Sequence, residues 1–250
     1  MGGVKMRLLN TATILCASII LFLPSIVKAS PVGTIDIAHT GYGAKGTLKV
    51  WGGGLYGVEG YGGVYMQTKT DGSGQGNLWP DGLVGTFCIE LQESTSSSTL
   101  TYDVVMLEDV YNSFIGGSIG TEKAEYLSEL WGRFFDPDWM SGGSYTYQQK
   151  RDAEAFASAV WEIIYEDIPG SPSGWDVTVD GTAGDLGFRA ENVNSTTANN
   201  WLHSLTGYGP KADLRAFVYE GKQDFIAQVP EPTTVCLLGL GGLFFLRKRK

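Results

Sequence analysis

The stretch GTLKVWGGGLYGVEGYGGVYMQT, residues 46–68, decides the fold. Apolar and polar residues alternate over residues 46–51 and again over residues 63–68, and this period of two is typical of β-strands. Between these two segments lie a triple glycine at residues 52–54 and a second glycine-rich run at residues 60–63. Glycine adopts positive φ angles without steric cost, so we interpret both runs as turns or bulges. The stretch predicts a turn-rich β protein.

The same alternation continues on both sides of this stretch. Further strands are predicted at residues 32–37, 83–91, 99–107, 213–219 and 225–229. Apolar residues at helical spacing predict one helix that Thr121 caps and that ends before Asp136-Pro137-Asp138, a second at residues 148–167, and a third at residues 196–205. We predict a mainly β fold, with a single β-sandwich or barrel-like domain at residues 30–228 and a small helical insertion at about residues 121–205.

Residues 1–29 have the pattern of a secretory signal. Lys5 and Arg7 form a charged start, residues 8–23 are largely apolar, and Val27-Lys28-Ala29 resembles a cleavage box before Ser30. We predict an N-terminal signal helix that is removed on export; the alternative is a retained membrane helix. Lys28 is unusual inside a cleavage box, so the predicted signal-peptide cleavage site has a range of a few residues.

The last 22 residues, VPEPTTVCLLGLGGLFFLRKRK, have three parts in a fixed order. Proline fixes φ and lacks an N–H, so the Pro-Glu-Pro triplet predicts an exposed, extended joint. The apolar run after it is shorter than the roughly 20 residues of a full membrane span, and it ends in four cations that belong on the cytoplasmic side. The order predicts a processing signal with a short C-terminal membrane helix. Its candidate functional residues are Val229, Pro230, Glu231, Pro232, Arg247, Lys248, Arg249 and Lys250.

These three parts resemble the sorting signal of PEP-CTERM proteins, which Gram-negative, exopolysaccharide-producing bacteria export. The resemblance implies three things: passage through the secretion machinery, a membrane-inserted intermediate, and cleavage near the Pro-Glu-Pro by an exosortase, a membrane protease-transpeptidase. It also implies a final location in the cell envelope, on the surface or in the extracellular matrix. Exopolysaccharide is a candidate partner.

Charge narrows the classes of partner. Between the two terminal signals, residues 30–230 carry 11 basic and 26 acidic side chains, a net charge of about −15. Such a surface repels phosphates, which disfavours nucleic acid as a partner. Divalent cations and neutral glycans are the more natural ligands.

Cys88 is the one cysteine between the two signals, so the predicted domain has no internal disulfide. The segment Thr86-Phe87-Cys88-Ile89-Glu90-Leu91 and the run AFASAVWE, residues 155–162, resemble the thioester domain of surface adhesins. In that family a strand cysteine condenses with a glutamine of a helical motif. The motif position of the glutamine is Ala157 here, so the resemblance supports the fold and not the chemistry. We keep Cys88 as a candidate reactive thiol; the alternative is a buried, inert residue.

The sequence gives only weak support for other catalytic or binding sites. His39 and His203 are isolated, and neither a zinc spacing nor a triad is visible. Carboxylates are expected to meet if the second helix packs on the Cys88 strand, and the candidates are Glu90, Glu162 and Glu166. Residues 71–77 are predicted to form a polar, flexible hairpin loop; the alternative is a calcium loop, although Gly82 stands where its bidentate carboxylate is needed. Five aromatic residues are candidates either for sugar stacking or for the β core: Trp51, Tyr56, Tyr61, Tyr65 and Trp79.

These patterns predict a secreted, non-enzymatic protein of the cell envelope or exopolysaccharide matrix, sorted through its C-terminal signal. We predict no catalytic residues, no metal site and no cofactor. The alternative is a surface adhesin with a covalent role for Cys88, or with a glycan-binding role.

Overall fold

We analysed a computed structural model that describes residues 30–180 and 187–231. The predicted signal helix, the predicted C-terminal membrane helix and the residues from Pro232 onward lie outside the described residues. Within them, no helix is long and apolar enough to cross a membrane.

The structure is mainly β. Its nine strands in the described residues are β1 Gly33–Gly52, β2 Leu55–Gly74, β3 Gly82–Cys88, β4 Leu100–Met106, β5 Tyr111–Asn112, β6 Gly117–Ser118, β7 Arg189–Glu191, β8 Leu214–Tyr219 and β9 Lys222–Gln228. Its helices in the same part of the chain are α1 Thr121–Phe134, α2 Tyr147–Tyr165 and α3 Ser195–His203, with short 3-10 turns between elements. β7 and all three helices lie in the segment predicted as the helical insertion.

β1 and β2 form one long antiparallel hairpin of two 20-residue strands. The turn is the predicted triple glycine, where Gly52, Gly53 and Gly54 have φ angles of 116°, 55° and 81°. The second glycine run is not a turn. Instead, the register shifts where Lys45 pairs with Gly63, which is the bulge alternative. The prediction of short separate strands at residues 32–37, 46–51 and 63–68 was therefore wrong, because bulges let one strand continue past each irregularity.

The strands close into a ring. Going round it, β1 pairs with β2, β2 with β3, β3 with β9, β9 with β8, β8 with β4, and β4 again with β1, all antiparallel. β7 adds to the far half of β1. Closure removes most free sheet edges, and it agrees with the barrel-like form of the prediction.

The segment predicted as a polar or calcium-binding loop belongs partly to the sheet. Asp71, Gly72, Ser73 and Gly74 are the end of β2 and pair with the start of β1. Gly76 is buried in the following 3-10 turn, where a β-carbon would overlap the backbone carbonyl of Thr34. The loop prediction was wrong here, because cross-strand pairing and close packing account for the glycines.

α2 is the central helix of the core. Every residue from Ala153 to Tyr165 is buried, and the helix packs on the β1–β2 hairpin, α1 and α3. Its start is fixed by a reciprocal capping pair, in which Thr146 accepts from the Gln149 backbone and Gln149 accepts from the Thr146 backbone. α1 differs from its prediction, because Thr121 is its first residue and Gly120, with no side chain, occupies the capping position.

Phe156 of α2 lies at the centre of an aromatic cluster. Its ring is 4.9 Å from that of Phe87 on β3, 5.3 Å from Trp131 on α1 and 5.5 Å from Trp139. Phe156 is fully buried. The cluster joins the barrel to the helices, so the two parts share one core.

Candidate functional site

The first candidate site is the point where the chain leaves the barrel. β9 ends at Gln228, Val229 is half-buried, and Pro230 and Glu231 are exposed. The predicted exposed joint therefore lies where burial ends.

Two tryptophans fix this exit point. Trp79 Nε1 donates to the Gln228 carbonyl at 2.9 Å, and Trp131 Nε1 donates to its side-chain Oε1 at 3.0 Å. The Val229 N–H donates to the Asp213 carbonyl at 2.8 Å. The folded domain thus holds the chain as far as Val229 and presents Pro230 to solvent.

The second candidate site surrounds Cys88 at the end of β3. Cys88 is buried, with 4% of its surface exposed. Its Sγ–H donates to the Glu90 carbonyl at 2.8 Å. Its own carbonyl accepts from Trp161 Nε1 of α2 at 2.9 Å. The helix run that carries the sequence resemblance therefore does lie against the Cys88 strand.

A glutamine reaches Cys88 from β9, not from α2. Gln223 is 5% exposed, and its Nε2 lies 2.6 Å from Cys88 Sγ and also donates to the Glu90 carbonyl. An N–H···O hydrogen bond is about 2.7–3.2 Å long, and sulfur is a larger atom than oxygen. The Gln223 amide nitrogen and the Cys88 sulfur are therefore in direct contact.

Residues 228–250 match the family model of the PEP-CTERM protein-sorting motif. This chain carries a PEP-CTERM sorting motif. The motif marks an exported protein of the cell envelope or surface, which is recognised and sorted by exosortase, a membrane protease. The match begins at the residue that the two tryptophans hold. No curated protein and no solved structure matched the chain.

Sequence reasoning missed Gln223 for two reasons. The predicted strand began at Phe225, so Gln223 was placed outside it, whereas β9 begins at Lys222. The resemblance also directed attention to α2, where Ala157 is a buried core residue. The position of Gln223 beside an apolar strand was the one sequence feature that could have indicated its role. Its contact with Cys88 depends on the pairing of β3 with β9, which joins residues more than 130 positions apart and is not visible in the sequence.

Burial and charge keep the Cys88 thiol neutral. Burial raises its pKa well above the ordinary range, and the nearby Glu90 carboxylate raises it further. Burial also raises the pKa of Asp224, the neighbour of Gln223, to about 8. A neutral buried thiol is a weak nucleophile toward solvent reagents, so chemistry here is confined to groups that the fold places against the sulfur.

The three candidate carboxylates bind backbone groups of different segments. Glu90 accepts from the backbone N–H groups of Gln92 and Glu93 and so shapes its own turn. Glu162 of α2 accepts from the Asp176 N–H, and Glu166, which follows the last residue of α2, accepts from the Phe188 N–H. The hydrogen bonds of Glu90 are therefore with its own turn and not with these two carboxylates.

The two histidines contact different groups. His203 Nε2 lies 2.8 Å from the Trp175 carbonyl, and His39 packs on the rings of Tyr42 and Tyr65. Across residues 30–180 and 187–231, no three His, Cys, Asp or Glu side chains are arranged to hold a metal ion.

The five candidate aromatics divide between core and surface. Trp79 and Tyr65 are buried, whereas Tyr56 and Tyr61 are 63% and 46% exposed. The Arg189 guanidinium lies 4.0 Å from the centre of the Trp51 ring, and the Lys45 ammonium lies 3.1 Å from the centre of the Tyr61 ring. Cations already cover part of two of these surface rings, so they do not form a free sugar-stacking platform.

Stability is expected to fall as the pH rises from about 5 to about 9. Burial raises the pKa of Glu154 to about 7, of Asp224 to about 8 and of Glu162 to about 9. Between its unfolded and folded pKa, each group is ionised only in the unfolded chain, so the folded state loses up to about 1.4 kcal/mol per pH unit per group. Thermal melts across this range measure the loss.

One variant tests whether Glu162 contributes to this loss of stability with rising pH. Glu162→Gln removes one of the three groups and should give a shallower decline from pH 5 to pH 9, while the exposed-site control Glu59→Gln should follow the wild type. A melting temperature that rises steadily from pH 5 to pH 9 would contradict these pKa directions.

Proposed function

We propose that this protein is a non-enzymatic component of the cell envelope or exopolysaccharide matrix, anchored or released through its PEP-CTERM motif. The observation that carries the proposal is the position of the motif. It starts at Gln228, where the fold ends, and its Pro230 and Glu231 are exposed. A protease can therefore reach the joint while the barrel stays folded.

The mechanism is localisation in three steps. The N-terminal signal directs export, the apolar run then holds the C-terminus in the membrane, and cleavage near residues 230–232 separates the barrel from the tail. The four terminal cations resist transfer across the membrane, so they keep the motif in the orientation that the protease meets. The acidic surface favours neutral polysaccharide over anionic polymers in the surrounding matrix.

Neutralising the tail tests this mechanism. Replacement of Arg247, Lys248, Arg249 and Lys250 by glutamine should move most of the protein from the surface fraction to an unprocessed form, because the orienting charge is lost. Quantitative immunoblotting of cell fractions measures the shift. The control Lys211→Gln removes a cation from the folded domain and should sort normally. Unchanged surface levels in the tail variant would count against the proposal.

The contact between Cys88 and Gln223 favours a second function, that of a covalent surface adhesin. We propose that the two side chains condense into an internal thioester. Cys88 Sγ bonds to the Gln223 amide carbon, which is one C–N bond of about 1.33 Å from the contacting Nε2. The C–N bond breaks, the thiol proton leaves with the nitrogen, and one ammonia is released. No oxidant or reductant is required.

The thioester would then transfer the Gln223 acyl group to an amine of a surface or matrix partner. An amide forms, the C–S bond breaks, and the Cys88 thiol is regenerated. The Glu90 turn lies over the site, since its carbonyl contacts both Cys88 and Gln223. A partner amine must therefore displace this turn, which protects the bond from water until contact is made.

Methylamine provides a test of this reactivity. The native protein should incorporate one methylamine at Gln223 and gain one titratable thiol at Cys88. Peptide mapping by mass spectrometry locates both changes. A thiol that is already free before treatment, together with no incorporation, would exclude the adhesin function and leave the sorting proposal unaffected.

A further inference from the structure

A cavity of about 330 Å³ lies beside the C-terminal end of α2, away from the Cys88 contact. Its polar lining is acidic and its other walls are largely apolar. The acidic lining residues are Glu162, Glu166, Asp167 and Asp176, and the others are Ile168, Pro169, Gly174, Trp175 and Val179.

Among the residues that the structure describes, two buried polar atoms of this lining have no hydrogen-bond partner. They are Glu162 Oε2 and Trp175 Nε1, and each residue is only 2% exposed. The other oxygen of Glu162 accepts from the Asp176 N–H at 2.9 Å. Buried polar groups are nearly always paired in folded proteins, so the unpaired acceptor Glu162 Oε2 points to a missing hydrogen-bond donor. Trp175 Nε1 is itself a donor and needs an acceptor, so it does not bear on the nature of this ligand.

The charge around the cavity is strongly negative. Glu162 is surrounded by the carboxylates of Glu166, Asp176 and Asp180, which disfavour its ionised form. Among the described residues, the basic side chains that face this cluster are Lys123, whose Nζ donates to the Ile164 carbonyl at 2.7 Å, and His203, which lies near Asp176. Acidic side chains outnumber basic ones here, so the donor missing at Glu162 is a cation.

The shape of the lining distinguishes an organic cation from a metal ion. A metal needs several ligands converging on one point, and the described residues offer no such group. A primary ammonium needs only separate acceptors for its three donors, and Ile168, Pro169 and Val179 can enclose an aliphatic stem.

We propose that this cavity binds a primary alkylammonium group, the chemistry of a lysine side chain, with the ammonium against Glu162. This inference goes beyond sorting and does not depend on the Cys88–Gln223 bond. It gives the exported domain a reversible site for a cationic partner protein.

Binding should release a proton. Burial, followed by the charge of Glu166, raises the pKa of Glu162 to about 9, so the empty site is protonated at pH 7. An ammonium stabilises the ionised carboxylate and lowers this pKa, because an opposite charge within hydrogen-bond distance favours ionisation.

Isothermal titration of the full chain in detergent with n-butylammonium chloride tests the proposal. We expect saturable binding, with a heat that depends on the ionisation enthalpy of the buffer because a proton is released. Glu162→Gln should weaken the affinity by about tenfold or more, the range of one hydrogen bond to a charged group. The exposed control Glu59→Gln should leave it unchanged.

A second variant keeps the proposal testable if Glu162→Gln does not fold. Val179 is 56% exposed at the cavity, so Val179→Arg should leave the fold intact and abolish binding by placing its own cation there. No saturable binding to the wild type, or wild-type affinity in both Glu162→Gln and Val179→Arg, would overturn the proposal. Binding of Ca²⁺ or glucosamine in the absence of butylammonium binding would also overturn it.

Discussion

The exported protein is expected to have an intact mass one ammonia below that of its processed sequence. Cys88 Sγ and Gln223 Nε2 are 2.6 Å apart in a site that excludes water, so the two reacting groups are already in place. The pairing of β3 with β9 holds both partners on rigid strands. High-resolution mass spectrometry of untreated protein, denatured at acidic pH to limit hydrolysis, measures the deficit.

Variants assign the missing ammonia to this pair. Cys88→Ala and Gln223→Ala should each restore the full sequence mass, because each removes one half of the bond. Gln148→Ala is the matched control, since Gln148 is exposed on α2 and donates to Asp152. Its product should keep the deficit. A deficit that persists in Gln223→Ala would show that the ammonia comes from another residue.

Phe156→Ala is expected to lower the free energy of unfolding by about 3–5 kcal/mol, the usual loss for a fully buried phenylalanine. Phe156 joins β3, α1 and α2 through its ring contacts, so its removal leaves a cavity where three elements meet. Since domains have only about 5–15 kcal/mol of stability, much of the protein's margin would be lost. Urea denaturation followed by tryptophan fluorescence measures the change.

Tyr147→Ala is the control on the same helix. Tyr147 is 78% exposed at the start of α2, so its truncation should change stability by no more than about 0.5 kcal/mol. Equal losses in the two variants would mean that α2 is not the centre of the core.

The local pattern predicted the elements but not their connections. The alternation around Trp51 identified strands, and the triple glycine identified the turn. It did not predict that β1 and β2 each run for 20 residues, because a bulge at Gly63 interrupts the alternation without ending the strand. Closure of the ring through β4, β8 and β9 depends on pairings across the whole chain, and periodicity carries no information about them.

The two candidate sites were predictable to different degrees. Residues 229–250 are a local signal, and an order of three segments is sufficient to recognise it. The Cys88 site depends on tertiary structure, since its partner Gln223 lies on a strand near the end of the barrel. The acidic cavity is of the same kind, because Glu162 and Trp175 meet only when the segment after α2 folds back on the helix.

The most direct test of this account is the identity of the C-terminal residue of the mature protein. Mass spectrometry of C-terminal peptides should be applied to protein from a host with an active exosortase and from the same host without it. We predict a chain that ends within residues 230–232 in the first host and at Lys250 in the second. A surface-located chain that still ends at Lys250 in the exosortase-active host would contradict it.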